Sequence, residues 1–261
     1  MPDIIVQLSD SHISVGAGDS GSVRALEATV EGVRKIHPLP VAMLMTGDLT
    51  EQGRRGEYAR VREIVERLGI PVHPIPGNHD DRDALREAFS DHSEIADTGA
   101  HINYSVLVGG TRVLMCDTVI PGSDGGALHD ETAQWLETEL AADPDRPALI
   151  AMHHPPIRTG IAAMDAIGMR PEDVLLLGEL LPRAPNVRSL LAGHVHRPIA
   201  GELGGCSVTT CPSTLFQLEL DLGPEMPFRR TQEPPGFAVH ISDDRSLVSH
   251  IKFLSAYEPL A

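Results

Sequence analysis

The chain has 261 residues, of which 41% are hydrophobic and 22% charged, values typical of a globular protein with a substantial core. Its 37 acidic and 21 basic residues give a net charge of −16, which argues against broad binding to nucleic acids or anionic membranes. It has no apolar run of the roughly 20 residues that cross a bilayer, no recognisable signal peptide and only three cysteines, so we expect a cytoplasmic protein with reduced thiols.

Apolar runs alternate with patterns of helical period over the first 198 residues, which is typical of α/β proteins. The strands predicted from these runs are Ile4–Leu8, Val41–Met45, Val72–Ile75, His101–Leu107, Arg112–Cys116, Ala148–Met152 and Arg188–Ala192. The predicted helices carry the apolar stripes Leu26–Val33, Tyr58–Leu68, Trp135–Leu140 and Pro171–Leu181. We expect Ser22 and Asp130 to cap the first and third of these helices, and Gly69 to end the second.

Short strands dominate the chain after residue 198. They are predicted at Ile199–Leu203, Cys206–Thr210, Leu215–Leu220, Phe237–Ile241 and Leu247–Ile251. Residues 222–236 are rich in proline and glycine, so we expect no regular element there. This segment is a candidate for a specificity lid or a subunit contact, and an irregular surface loop is the alternative. The simplest organisation is a single domain over residues 1–261, with β hairpins and the proline-rich loop over 199–261.

Five of the apolar runs end in side chains that can bind metal ions. These side chains are Asp10 and His12, Asp48, Asn78 and His79, His153 and His154, and His194 and His196. In open α/β sheets, ligand sites form beyond the carboxyl ends of the strands. Each motif alone is weak evidence, because a single aspartate or histidine after a strand is common in ordinary turns. Five such ends in one fold predict a shared site, which makes residues 1–198 a metal-site core.

The predicted ligands are carboxylates, imidazoles and an amide, with no thiolate. This mixture suits divalent Fe, Mn, Zn or Co and disfavours an iron–sulfur cluster. There are too many ligands for one tetrahedral ion, whereas two ions that share a carboxylate would use them all. Such a pair, roughly 3.5–4 Å apart, can hold a hydroxide and bind a phosphoryl group for in-line attack.

The ordered set of motifs resembles that of the calcineurin-like metallophosphoesterases. It consists of Asp10-x-His12, Gly47-Asp48, Gly77-Asn78-His79-Asp80, His153-His154-Pro155 and Gly193-His194-x-His196. Within that family, the set is most similar to the bacterial class III cyclic-nucleotide phosphodiesterases and the related glycerophosphodiesterases. The resemblance extends from Ile4 to about Gln217. It implies an α/β fold, a four-layer α/β/β/α sandwich of two mixed sheets, here with a β-rich C-terminal extension and a dinuclear site at one edge.

The resemblance also implies a role for each motif residue. One ion would take Asp10, His12, Asp48 and His196, and the other would take Asp48, Asn78, His153 and His194, so that Asp48 bridges the two. His79 is not a ligand in the family and would act as a catalytic residue, either as a general acid or as a charge stabiliser for the leaving group. His154 would lie beside a ligand and could orient it.

We therefore expect a dinuclear-metal-dependent phosphodiesterase that hydrolyses small phosphodiesters, cyclic nucleotides or glycerophosphodiesters, by attack of a metal-bound hydroxide. A diester is favoured over a monoester because a monoanion needs fewer basic residues to bind it. Arg82, Arg158 and Arg197 lie near the motifs and are either phosphate-binding residues or ordinary surface charges. A phosphomonoesterase or nuclease with the same site, and a non-catalytic metal-binding scaffold, are the alternatives. The expected partner is a small-molecule substrate, with no nucleic acid or membrane, and the chain is a candidate homo-oligomer.

Overall fold

The computed structural model describes residues 2–16, 21–224, 228–243 and 245–254. The strands are β1 (Asp3–Leu8), β2 (Ala42–Thr46), β3 (Val72–Ile75), β4 (Tyr104–Val108), β5 (Thr111–Cys116), β6 (Ala148–Met152), β7 (Val187–Ala192), β8 (Ala200–Leu203), β9 (Cys206–Thr210), β10 (Gln217–Leu218), β11 (Arg230–Thr231), β12 (Gly236–Ser242) and β13 (Leu247–Phe253). The α-helices are α1 (Gly21–Arg34), α2 (Arg55–Val65), α3 (Arg82–Ala88), α4 (Ser93–Ala96), α5 (Asp130–Ala142), α6 (Ala162–Asp165) and α7 (Pro171–Leu180). Short 3₁₀ turns follow α2 and α7.

Two mixed sheets carry the fold. The first sheet has the strand order β13-β12-β1-β2-β3, in which β1, β2 and β3 are parallel and β12 and β13 are antiparallel additions. The second sheet has the order β4-β5-β6-β7-β9-β8, with a parallel centre from β5 to β9 and an antiparallel strand at each edge. The C-terminal strands therefore complete both sheets, and β10 pairs only with β11.

Alternating side chains of the second sheet belong to two different hydrophobic clusters. On β5, Val113 and Met115 pack with the first sheet and helices α1 and α2, whereas Leu114 and Cys116 pack with α5 and α7. Because successive residues of a strand point to opposite faces, the second sheet is covered on both sides. The layers are thus α1 and α2, the first sheet, the second sheet, then α5 and α7, which confirms the predicted α/β/β/α sandwich.

Two predicted helix caps are wrong. Asp130 is the first residue of α5, and His129, with extended backbone angles, occupies the N-cap position. The Asp130 charge still lies in the first turn, where it favours the positive end of the helix dipole. Ser22 is the second residue of α1 and accepts a hydrogen bond from the Ser14 N–H. Gly69 does end the second predicted helix, in the left-handed conformation with φ of 68°.

The remaining differences concern short elements. Helices α3, α4 and α6 have seven residues or fewer and were not predicted. The strand predicted at Leu215–Leu220 is reduced to β10, because the Ser213 hydroxyl accepts hydrogen bonds from the N–H groups of Leu215 and Phe216. The proline-rich segment 222–236, of which residues 225–227 lie outside the described part, contains the two-residue strand β11. No helix in the described ranges is long and apolar enough to cross a bilayer.

Candidate metal centre

The polar side chains of the five predicted motifs all follow strands at one edge of the sandwich. Asp10 and His12 follow β1, Asp48 follows β2, Asn78 and His79 follow β3, His153 and His154 follow β6, and His194 and His196 follow β7. These strands are parallel neighbours within the two sheets, so their carboxyl ends lie side by side. The two packed sheets thus bring seven predicted ligands together from both sides of the interface.

The backbone at this edge is unusual. Five non-glycine residues in the described ranges have positive φ, and all five are predicted ligands: Asp10 at 54°, His12 at 43°, Asp48 at 49°, His194 at 70° and His196 at 48°. Left-handed backbone costs an L-residue on the order of 1–3 kcal/mol and persists only where the surroundings enforce it. Because such strain concentrates at functional sites, the pattern marks this edge independently of the side-chain chemistry.

A first group of ligand atoms surrounds His196. Its Nε2 lies 3.1 Å from His12 Nε2 and 3.5 Å from Asp10 Oδ1. The His12 Nε2 atom is also 3.6 Å from Asp48 Oδ2. All four side chains are nearly or completely buried. Asp10, His12 and His196 offer atoms close enough to one another to hold one ion, with Asp48 alongside.

A second group surrounds His153. Its Nε2 lies 3.1 Å from Asn78 Oδ1 and 3.4 Å from Asp48 Oδ1. The His194 ring is 5.0 Å from the His153 ring, centre to centre. Asp48 therefore presents Oδ2 to the first group and Oδ1 to the second, which is the arrangement a bridging carboxylate requires.

An oxygen atom lies beside the outward nitrogen of each histidine that is predicted to be a ligand. His153 Nδ1 donates to the Thr46 carbonyl at 2.8 Å, His194 Nε2 to the Ile167 carbonyl at 3.0 Å and His196 Nδ1 to the Phe216 carbonyl at 3.0 Å. His12 Nδ1 lies 3.0 Å from a carboxylate oxygen of Glu51. A second partner of this kind fixes the tautomer and the ring orientation of a metal-binding histidine.

The donor set fits a pair of divalent cations. With their outward nitrogens protonated, His12 and His196 direct two lone pairs at each other over 3.1 Å. Two lone pairs at that distance repel, and a cation between them removes the repulsion. Neutral imidazoles and ionised carboxylates are also the forms in which these groups bind metals.

The pKa values of His194, His196 and Asp48 favour these metal-binding forms. Burial instead raises the pKa of Asp10 to about 6, and burial would lower the pKa of His12, but the Glu51 contact raises it. Burial lowers the pKa of His194 to about 3 and holds that of His196 well below its ordinary value, so both rings are neutral. Burial alone would raise the pKa of Asp48, but the adjacent His153 holds it well below its ordinary value. Burial would lower the pKa of His153, and the Asp48 carboxylate instead raises it to about 9. A divalent cation would displace the proton that this pair retains.

His79 lies at the open side of the cluster and is half-buried. Its ring is 4.7 Å from the His12 ring, and its backbone N–H donates to Asp48 Oδ1 at 2.9 Å. Its Nδ1 donates to the Glu51 carbonyl at 3.0 Å. Since Nδ1 carries this proton, Nε2 is the atom left to gain or lose one.

Asp80 organises the loops that carry Asp48 and Asn78, a role that the sequence did not reveal. Its Oδ1 accepts hydrogen bonds from the Thr50 N–H, the Thr50 hydroxyl and the Tyr58 hydroxyl at 2.8–3.1 Å. Its Oδ2 accepts from the N–H groups of Leu49 and Gly77 at 2.9–3.0 Å. One carboxylate thus joins two ligand loops.

Gly77 belongs to a predicted motif, but its close approach to Asp48 was not predicted, and Glu51 was missed as part of the site. A Cβ atom at Gly77 would overlap the Asp48 backbone nitrogen and Oδ1, so only glycine permits this close approach. Glu51 is three residues after Asp48, and nothing in the motif spacing indicated that its carboxylate would reach His12.

The other predicted neighbours have different roles. Both ring nitrogens of His154 are engaged, Nδ1 with the Thr118 hydroxyl and Nε2 with the Asp124 carbonyl, which fits a supporting position beside His153. Arg82 forms a paired contact with the buried Asp117. Of the two other arginines near the motifs, Arg197 pairs with Glu233 at 2.6 Å and Arg158 extends into solvent with 93% of its side chain exposed.

A family model for the calcineurin-like phosphoesterases matches residues 4–198 of this chain. The chain belongs to this family. Calcineurin-like phosphoesterases depend on two metal ions, and the matched region contains every predicted ligand. The chain is 31% identical over 260 residues to a probable glycerophosphodiester phosphodiesterase of Arcobacter nitrofigilis, covering 98% of this chain and 94% of that one. It is 33% identical to a 3′,5′-cyclic adenosine monophosphate phosphodiesterase of Pseudomonas aeruginosa, covering 82% of this chain and 77% of that one.

Solved structures show the same fold. A dimetal phosphatase from Danio rerio superposes with a TM-score of 0.68 over 97% of this chain and 96% of that one, at 15% identity. A purple acid phosphatase from yellow lupin also gives 0.68, over 98% of this chain and 52% of that one, at 16% identity. The family model and the curated relatives confirm the resemblance to the calcineurin-like family that the motifs indicated.

Proposed function

We propose that this chain is a metal-dependent phosphodiesterase that hydrolyses small phosphodiesters, either cyclic nucleotides or glycerophosphodiesters. The observation that carries the proposal is the position of Asp48, whose two oxygens face the two groups of buried ligand atoms. The named relatives support it, because they include glycerophosphodiester and cyclic-nucleotide phosphodiesterases. The proposed ligands are Asp10, His12, Asp48 and His196 for one ion and Asp48, Asn78, His153 and His194 for the other.

Two bound divalent cations, of Fe, Mn, Zn or Co, would supply a nucleophile from water at neutral pH and neutralise the phosphoryl oxygens. The protein contributes the orientation of the proposed ligands, through the outward hydrogen bonds of His153, His194 and His196 and through the contact of His12 with the Glu51 carboxylate. His79 is proposed to move a proton at Nε2 to the departing alkoxide. The Glu51 carbonyl holds the opposite edge of its ring in place. General acid help of this kind contributes about 10²–10⁴-fold in rate.

A diester is the better substrate for the charges near the site. A monoester dianion needs several basic residues, yet Arg82 is neutralised by Asp117 and Arg197 by Glu233. We therefore expect a higher kcat/KM for bis-p-nitrophenyl phosphate than for p-nitrophenyl phosphate. A reversed preference would favour the phosphomonoesterase alternative, and the net charge of −16 weighs against a nuclease.

Metal dependence is tested by chelation followed by re-addition of Mn, Zn, Fe or Co, with metal content measured on each preparation. Activity that survives complete metal removal would overturn the proposal. Asp48→Ala is expected to lose metal and rate together, whereas His79→Ala keeps its metal and loses about 10²-fold or more in rate. Equal metal loss in both variants would contradict the division of roles between these residues.

We further propose that residues 1–261 form one domain, because β12 and β13 complete the sheet to which β1 belongs. A cytoplasmic location and a small-molecule substrate are part of the same proposal, supported by the three buried cysteines without disulfides and the acidic net charge. Homo-oligomerisation remains a proposal that size-exclusion chromatography with light scattering tests directly.

A further inference from the structure

Arg230 lies at the rim of the proposed metal centre. Its guanidinium carbon is 4.0 Å from the centre of the Phe216 ring. That ring is in turn 4.4 Å from the His196 ring and 5.8 Å from the His12 ring. The guanidinium carbon is therefore no more than 8.4 Å, the sum of 4.0 and 4.4, from the centre of the His196 ring.

The position of Arg230 is fixed by the backbone. It pairs with Leu218 in the two-stranded ribbon formed by β10 and β11, and the Glu219 N–H donates to the Arg229 carbonyl. Arg197 donates to the Leu218 carbonyl and so ties the same ribbon to the loop that carries His196. The proline-rich segment thus holds one guanidinium beside the site.

Unlike the arginines around it, Arg230 makes no close ion pair with the residues that the structure describes, although the Glu51 carboxylate interacts with it at longer range. Arg82 binds Asp117, Arg197 binds Glu233, and Arg229 lies 3.8 Å from a Glu219 carboxylate oxygen. No described carboxylate oxygen is within 4.0 Å of Arg230, although acidic residues outnumber basic ones by 37 to 21. An exposed guanidinium that has no ion pair at contact distance and lies beside a site for an anion is placed to bind that anion.

We propose that Arg230 is a substrate-binding residue that selects among phosphodiesters by charge, an inference that rests on the proposed phosphodiesterase function. It attracts the anionic diester and disfavours a diester whose alcohol carries a positive charge, such as choline. The favoured substrate class is then a diester with an uncharged alcohol, as in a cyclic nucleotide. Because Arg230 lies away from the reacting atoms, it acts on substrate binding and leaves the chemical step unchanged.

The test compares wild type, Arg230→Gln, Arg230→Lys and Arg229→Gln on three substrates: bis-p-nitrophenyl phosphate, 3′,5′-cyclic AMP and glycerophosphocholine. In Arg230→Gln we expect KM to rise about tenfold for the first two, the loss expected from one charge-assisted hydrogen bond. We expect kcat and metal content to stay unchanged. For glycerophosphocholine, lost attraction to the phosphate is offset by lost repulsion of choline, so KM changes less.

The variants separate the possible outcomes. In Arg230→Lys, KM should return part of the way to the wild-type value. The matched control, Arg229→Gln, changes the arginine immediately before β11 and should behave as wild type. Unchanged KM values in Arg230→Gln, an equal rise for all three substrates, or a fall in kcat with loss of metal would overturn the role of Arg230. A wild type that is metal-loaded yet inactive on every diester would instead overturn the proposed function and the inference with it.

Discussion

Replacing Asp80 with asparagine tests whether one carboxylate sets the geometry of two ligand loops. The Asp80 side chain accepts five hydrogen bonds and donates none. Its donors on Leu49, Thr50 and Tyr58 belong to fully buried residues. An asparagine retains one oxygen and has an NH₂ group in place of the other. In either orientation of the amide, this NH₂ group faces N–H or O–H groups that also donate.

The two orientations of the amide are not equally costly. With NH₂ in place of Oδ2, it would meet the backbone N–H groups of Leu49 and Gly77, neither of which can reverse. With NH₂ in place of Oδ1, it would meet the Thr50 N–H and two hydroxyls, and the hydroxyls can rotate to accept. The second orientation is therefore favoured. It leaves the buried Thr50 N–H without an acceptor, at a cost of about 1–3 kcal/mol.

The remaining bonds also weaken, because those to a charged group are worth about 1.5–3 kcal/mol and neutral ones about 0.5–1.5 kcal/mol. Loss of the Asp80 charge removes its repulsion with Asp48, which offsets part of these losses. We expect a net loss of about 2 kcal/mol in the free energy of unfolding, measured by urea denaturation, with weaker metal binding in a chelator titration. Asp83→Asn, whose side chain is 95% exposed, is the control and should change stability by less than about 0.5 kcal/mol. If Asp80→Asn and Asp83→Asn were equally stable, the reasoning would be refuted.

Three further changes probe other parts of the structure. Burial lowers the pKa of His240 to about 4, so the unfolded chain binds a proton at a higher pH than the folded chain, and the free energy of unfolding falls as pH drops from about 6.5 to 4. In His240→Gln, the slope of the free energy of unfolding against pH should be shallower by up to about 1.4 kcal/mol per pH unit. Equal slopes in the two proteins would contradict the burial of a neutral ring. Gly77→Ala forces its methyl group against Asp48 and should abolish metal binding seen by calorimetry, whereas Gly99→Ala, with open space around it, should not. Glu51→Ala removes the partner of the His12 ring and should weaken metal binding about tenfold in competition with a chelator; unchanged affinity would show that the ring needs no such support.

The parts of the fold that the sequence predicted well are those with long, regular patterns. The strands β1, β2, β3, β6 and β7 are mostly apolar runs, and the polar residues that follow each run lie where a parallel sheet collects its ligands. The proposed ligands could therefore be found without knowing any distance between them. Helices α3, α4 and α6 are too short to show a helical period, so they could not be predicted.

The rest of the site depends on loops whose paths are set by tertiary contacts. The acidic side chain of Glu51 lies three residues beyond Asp48, but only the left-handed turn at Asp48 brings it to His12. Arg230 is more than 30 residues after His196 in sequence, and it reaches the site only because its strand pairs with Leu218. Asp80 was noticed as part of a motif, yet its role as a shared acceptor for two loops has no signature in the spacing.

Each proposed ion draws its ligands from both sheets. Asp10, His12, Asp48 and Asn78 come from the first sheet, and His153, His194 and His196 come from the second. Two bound ions would cross-link the two sheets. Separation of the sheets would then require release of the ions. At a free-ion concentration 100 times its dissociation constant, each ion would add about 2.7 kcal/mol to the free energy of unfolding. The stability of the fold and the activity of the site would then both depend on the concentration of available metal.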